Sequence, residues 1–174
     1  MVKLVIFAVV SLGIISLSWT SLHSCRSHGF FRFFAFETIL ASILLNVTRW
    51  FTDPFSALQV VSWVLLSSSL LLAAHGFYLL RMVGRPEGRI ENTTTVVTAG
   101  AYRLIRHPLY ASLLLLEWGV FFKGPSLLVG ILALATSLLL LATAKAEERE
   151  NVERFGAEYE RYMNTTTMFV PFLF

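Results

Sequence analysis

Five apolar blocks, each nearly free of charge, constrain this chain more than anything else in it: about Leu4–Leu22, Phe30–Val47, Pro54–Leu80, Leu109–Phe122 and Ser126–Ala144. Apolar residues in runs of that length follow neither a strand period nor one face of a helix, so lipid is the solvent they suit. A soluble domain of 174 residues needs more polar surface than a chain that is 56% apolar and 14% charged, with a mean hydropathy of +0.68. Four blocks are long enough to cross a hydrocarbon core of about 30 Å. The fourth, at about 14 residues or roughly 21 Å, is short. It is expected to begin inside the Arg103–His107 segment or to tilt its hairpin partly into the interface. The expected fold class is all-α: a polytopic integral membrane protein with about five transmembrane helices and a C-terminal cytoplasmic amphipathic helix.

A secretory signal peptide is the alternative for the first block, but no clear small-residue cleavage site follows it, and further spans do. The single Cys25 rules out an intrachain disulfide. With the C-terminus on the cytoplasmic side, Arg26, Arg32, Arg81, Arg85, Arg89, Arg103, Arg106, Lys145, Arg149, Arg154 and Arg161 share one side, and Lys3, Arg49 and Lys123 the other. Eleven against three predicts the N-terminus outside and the C-terminus inside. The net charge of +3 then reflects topology and anionic headgroups rather than nucleic acid. The lack of a recognisable targeting segment favours a prokaryotic plasma membrane. Asn46, Asn92 and Asn164 open N-x-Thr sequons, which this orientation places in lipid or in the cytoplasm, where glycosylation is not expected.

Residues 1–80 read as three transmembrane helices and little else, whereas 81–174 alternates apolar and motif-bearing stretches. The loop Arg81–Thr98, with Gly84, Pro86, Gly88 and the Thr93-Thr94-Thr95 run, is predicted to be non-helical and is longer than a simple connection needs. Lys123-Gly124-Pro125 predicts a tight turn making the last two spans an antiparallel hairpin, which brings the segment before Tyr110 close to the segment after Ala144. Ala146–Tyr162 reads as a cytoplasmic helix with Val152, Phe155, Tyr159 and Tyr162 on one face, interrupted at Gly156. No phosphate loop, metal-spaced His/Cys cluster or nucleophile elbow is present.

Chemistry concentrates at Gly100-Ala101-Tyr102-Arg103-Leu104-Ile105-Arg106-His107-Pro108-Leu109-Tyr110, where the chain enters the bilayer. Pro108 suits the first position of a helix. The free amides of that first turn, with Arg106 beside them, suit a carboxylate or phosphate. Basic residues at a span end also serve as plain interfacial anchors, and Glu147 and Glu148 at the mouth of the fifth span as solvated charges. Glu37, His75 and Glu117 lie within spans, where ionisable groups take functional or mutually paired roles. Glu117 lines an acceptor cavity or bonds another span.

The ordered set Gly-Ala-Tyr-Arg-x-x-Arg-His-Pro-Leu-Tyr, a hydrophobic hairpin, Glu147-Glu148, and Phe155-Gly156-x-Glu158-Tyr159-x-x-Tyr162 resembles the isoprenylcysteine carboxyl methyltransferase family and its phospholipid methyltransferase relatives. The likeness covers about Thr94–Pro171. It implies an enzyme that takes S-adenosylmethionine from the cytoplasm and a lipophilic acceptor from the bilayer, most simply a carboxylate as in prenylcysteine methylation. It also implies cofactor binding by the Val96-Val97 backbone, Tyr102, His107, Pro108, Leu109, Tyr110 and Glu147. Arg106 would then orient an anionic group, Glu148 would assist deprotonation of an amine acceptor, and Glu117 would contact substrate.

Three positions depart from the pattern: Thr94 stands where His is usual, Ser112 where Gly is, and Thr143 where prenylcysteine enzymes carry Arg. Other classes answer to the same features. A phospholipid N-methyltransferase shares the motif, as does a sterol-reductase-like enzyme using NADPH, and a non-enzymatic scaffold would need only the spans.

Overall fold

The computed structural model describes residues 1–24, 27–87 and 93–171, so the readings made of Cys25, Arg26, Gly88, Arg89 and Asn92 fall outside the described residues. Helices occupy all five apolar blocks: α1 Val2–Leu22, α2 His28–Asn46, α3 Ala57–Met82, α4 Pro108–Lys123 and α5 Leu127–Phe155. A short α6 spans Ala157–Thr165, and 3-10 turns cover Val47–Arg49 and Gly100–Arg103. An isolated parallel bridge joins Ile105 to Thr167. Helices α1, α2, α3 and α5 are long and apolar enough to cross a membrane. Large apolar side chains stand open along them, among them Leu17, Leu71 and Leu138 at 79%, 72% and 69% exposure. Water would penalise that surface heavily, and lipid does not. The chain is a polytopic membrane protein.

Of the two ways of meeting the shortness of the fourth block, a start inside Arg103–His107 is excluded: α4 starts at Pro108, as that residue predicts, and has 16 residues. The proline has no amide hydrogen to donate, which makes it a natural first residue. The separate helix expected from Ala146 needs correction, because α5 continues to Phe155 without a break. The interruption comes at Gly156, whose φ of +57° is a left-handed conformation open to glycine, and α6 begins after it. Beyond Met82, where α3 ends, the described part of the loop is non-helical as expected.

The chain forms two compact units, residues 1–66 with 114–147 and residues 67–113 with 148–174. In the first unit small side chains let helices pack closely, with Ala35, Ala133 and Ala144 fully buried beside Val120 and Leu140. Neutral polar side chains then tie one helix to another. Asn46 donates to the Val120 carbonyl at 2.8 Å, Ser62 to that of Gly119 at 2.7 Å, and Gln59 to that of Lys123 at 3.1 Å. Thr38 and Thr136 share a 2.8 Å hydrogen bond, and Ser11 donates to Glu37 at 2.6 Å. Thr38, Ser42 and Asn46 follow one another at four-residue intervals, so one stripe of α2 carries these contacts. The turn after Lys123 forms as expected, with Gly124 bonded to the Phe121 carbonyl at 3.2 Å and Ser126 Oγ accepting from the Val129 amide.

The second unit is built around loops. Leu79, Val97 and Tyr102 form a buried cluster with Leu80 against it, which anchors the chain entering the motif. The C-terminal strand of chain is held by backbone bonds: Arg106 N to Thr167 O at 2.8 Å, His107 N to Met168 O at 3.2 Å, and Thr167 N to Leu104 O at 3.3 Å.

Candidate functional site at the start of helix α4

The site begins at Gly100, with a φ of +55° and no room for a side chain: a Cβ there would lie 2.5 Å from His75 Nε2 and 2.7 Å from Leu79 Cδ1. Only glycine lets the loop pass this close to α3. The adjacent Ala101 amide donates to His75 Nε2 at 3.4 Å, so this intramembrane histidine is paired with the backbone of the motif. The 3-10 turn that follows buries Tyr102, whose carbonyl accepts a 2.6 Å bond from the Tyr162 hydroxyl of α6. Burial, with Tyr159 nearby, raises the Tyr162 pKa and keeps that hydroxyl a donor; Arg106 opposes the shift only in part.

Arg106 and His107 then converge on Glu148. Arg106 Nε donates to Glu148 Oε1 at 2.6 Å, and His107 Nε2 lies 3.4 Å from the same oxygen. The Arg106 and Glu148 side chains are only 10% and 9% exposed. Arg106 Nη1 also donates to the carbonyls of Met163, at 3.1 Å, and Thr166. Burial alone would raise the Glu148 pKa, but hydrogen bonds from His107 and Arg106, together with their charges, more than offset it and hold the carboxyl below its ordinary value. Glu148 is thus an ionised anchor for two residues of the motif. Next to it the His107 ring stacks on Tyr110 at 5.4 Å between centroids, with Phe169 at 6.2 Å on another side.

Most of the residues singled out in the sequence therefore belong to one unit: Val96, Val97, Tyr102, Arg106, His107, Pro108, Leu109, Tyr110 and Glu148. Glu147 and Glu117 belong to the other. Glu117 is fully buried; one oxygen accepts the Ser42 hydroxyl at 2.7 Å, and the other has no hydrogen-bond partner. Thr143 is fully buried as well and donates to the Leu139 carbonyl of its own helix at 2.7 Å.

Several participants escaped the sequence reading. The carbonyls of Met163, Thr166, Thr167 and Met168 bind the motif, yet a backbone acceptor leaves no mark on residue type. The Tyr162 contact had a partial signal in the spacing of Tyr159 and Tyr162.

A model of the phospholipid methyltransferase family matches residues 57–158, which takes in all of α3 as well as the motif. Among curated relatives, the chain is 34% identical over 134 residues to the cobalt-zinc-cadmium resistance protein CzcN of Cupriavidus metallidurans, covering 76% of this chain and 58% of that one. It is 31% identical over 139 residues to methanethiol S-methyltransferase of Crocosphaera subtropica, covering 74% and 53%. It is 26% identical over 128 residues to methanethiol S-methyltransferase 1 of Bradyrhizobium diazoefficiens, covering 68% and 44%. The chain spans about half the length of these relatives. With the family model covering more than half of its residues, the chain belongs to the phospholipid methyltransferase family.

Proposed function

We propose that this chain is a membrane methyltransferase that takes its methyl group from S-adenosylmethionine and delivers it to a small lipophilic acceptor, a thiol ahead of a carboxylate. The observation that carries the reading is the clasp of Arg106 and His107 on Glu148, which fixes the start of α4 among the residues that the family likeness assigns to the cofactor. The donor set suits that molecule. The first-turn amide of Leu109 suits a carboxylate, and the carboxyl of Glu147, which the family likeness assigns to the cofactor, suits an ammonium. When bound, S-adenosylmethionine supplies an electrophilic methyl on a sulfonium. The chain's own work is to position the reactants and exclude water, which is most of what an in-line methyl transfer requires.

Arg106 and Glu148 act here as positioning residues. Two of the guanidinium's nitrogens are engaged with protein oxygens, and a carboxylate held below its ordinary pKa by two partners is a poor base. Thr143, buried where prenylcysteine enzymes carry Arg, gives a carboxylate acceptor no cation at that position. Relatives named methanethiol S-methyltransferase favour sulfur instead. Such an acceptor would react as its thiolate, its proton lost to water, with the chain holding the sulfur in line with the donated methyl group. The bacterial relatives favour a bacterial membrane as the setting.

The test incubates detergent-purified protein with methyl-labelled S-adenosylmethionine and, separately, a short alkanethiol, a prenylcysteine and phosphatidylethanolamine. Label in a volatile thioether, formed faster as pH rises through the thiol range, supports the proposal. Label in a methyl ester or a headgroup overturns the choice of acceptor, and no transfer to any of the three overturns the activity.

A further inference from the structure

Arg49 and Lys123 are two of the three basic residues that the charge partition leaves on its minority side, and the structure brings both to one pocket of about 410 Å³ in the first unit. Lys123, the last residue of α4, is only 3% exposed. Its ammonium donates to Gln59 Oε1 at 2.9 Å and sits 3.4 Å from the Trp63 ring centroid, with Trp50 at 5.8 Å. A neutral amide oxygen and an indole face are weak compensation for a buried charge. Among the described residues neither Lys123 nor Arg49 has a carboxylate within salt-bridge distance.

The remaining polar lining, Asn46, Thr52, Ser56, Gln59 and Ser126, is neutral, and the single carboxylate, Asp53, is exposed and forms no ion pair among the described residues. Gln59 is itself fixed, its amide nitrogen donating to the carbonyls of Arg49 and Lys123 at 3.1 Å each, so its oxygen is turned to the ammonium. The pocket also takes in Leu128 of the first turn of α5, whose amide lacks a helical partner, and Val129, whose amide is already capped by Ser126 Oγ. Two cations against one carboxylate, with the Ser56 and Ser126 hydroxyls in the same lining, make a receptor for an anion.

We propose that this pocket binds a phosphate group, and that its source is the headgroup of an anionic phospholipid. Lys123 and Arg49 close the ends of apolar segments, where headgroup phosphates lie. The volume accommodates a phosphate with a small polar substituent. A phosphate oxygen between the two cations would complete the coordination that Gln59 and Trp63 only begin, and would tie the end of α4 to the segment after α2. The site is independent of the methyl-transfer reading, since it shares no residue with the Glu148 clasp.

Thermal unfolding of the full chain in a neutral detergent, titrated with phosphatidylglycerol, phosphatidylcholine or inorganic phosphate, tests the proposal. Phosphatidylglycerol should raise the melting temperature saturably, and phosphatidylcholine should do so far less. Arg49→Gln, at an exposed side chain that leaves packing intact, should weaken the phosphatidylglycerol effect at least about tenfold. Asp53→Asn should strengthen it. An equal saturable shift from inorganic phosphate, lost in Arg49→Gln, would keep the site and assign it to a soluble ion. Equal effects of the two lipids, or a phosphatidylglycerol effect unchanged in both Arg49→Gln and Lys123→Gln, would overturn the proposal.

Discussion

In the second unit buried charge meets opposite charge: Arg106 and Glu148 lie 2.6 Å apart, with His107 at the same carboxylate oxygen. In the first unit the hydrogen bonds described above between α2, α3, α4 and α5 each have a neutral group on at least one side. Asn46, Ser62 and Gln59 donate to helix carbonyls, Ser42 donates to Glu117, and the Lys123 ammonium faces an amide and an indole. The difference follows from what each unit must hold. Helices in lipid satisfy their own backbones and need only modest side-chain bonds to fix rotation and register. The second unit has to secure loops and a C-terminal segment, whose backbone groups need partners from outside, and a charged clasp supplies a stronger one.

Substitutions in the two units should differ in cost accordingly. Arg106→Ala should have the largest effect, destabilising the protein by about 3–5 kcal/mol because it strips a buried carboxylate of its main partner and frees two carbonyls. Loss of cooperative unfolding, or a markedly lower melting temperature in detergent, would register it. Gly100→Ala should cost about 1–3 kcal/mol, since the residue must hold a φ of +55° while its Cβ meets His75 and Leu79. Both losses should exceed that of Ser42→Ala in the first unit, expected at about 0.6 kcal/mol by the same measurement. If Ser42→Ala matched Arg106→Ala, the distinction between the units would fail.

A pH series sharpens the same point. The folded-state pKa of Glu148 lies below its ordinary value of 4.5, so the clasp contributes its full stability above that value. The contribution is lost as pH falls from there through the folded-state pKa. Wild-type melting temperature should therefore drop in acid more steeply than that of Glu148→Gln, which lacks the titrating group. Parallel acid profiles would contradict the assignment.

The apolar blocks made the helices legible because length without charge has one economical solution in lipid, and α1 through α4 and the start of α5 fall within a few residues of those blocks. Pro108 marked the start of α4 for the same local reason that it begins helices elsewhere. The convergence of Arg106 and His107 on Glu148 followed in outline from the turn at Lys123–Pro125, which predicted that the segments before Tyr110 and after Ala144 come together. The continuity of α5 through Phe155 was less visible, because a switch from apolar to charged residues marks the edge of the lipid and does not end a helix. The use of the C-terminal carbonyls was invisible, since every residue type carries one. The pocket at Lys123 was hidden in another way: Arg49 and Lys123 are distant in sequence and looked like unrelated exceptions to a charge rule.

Binding of radiolabelled S-adenosylmethionine to the detergent-purified chain, with His107→Ala and Glu147→Ala measured beside it, tests whether the chain uses this methyl donor. Saturable binding to the wild type, and its loss in both variants while each still unfolds cooperatively, is the expected result. A folded wild-type protein that binds none, or variants that bind as tightly as the wild type, would contradict it.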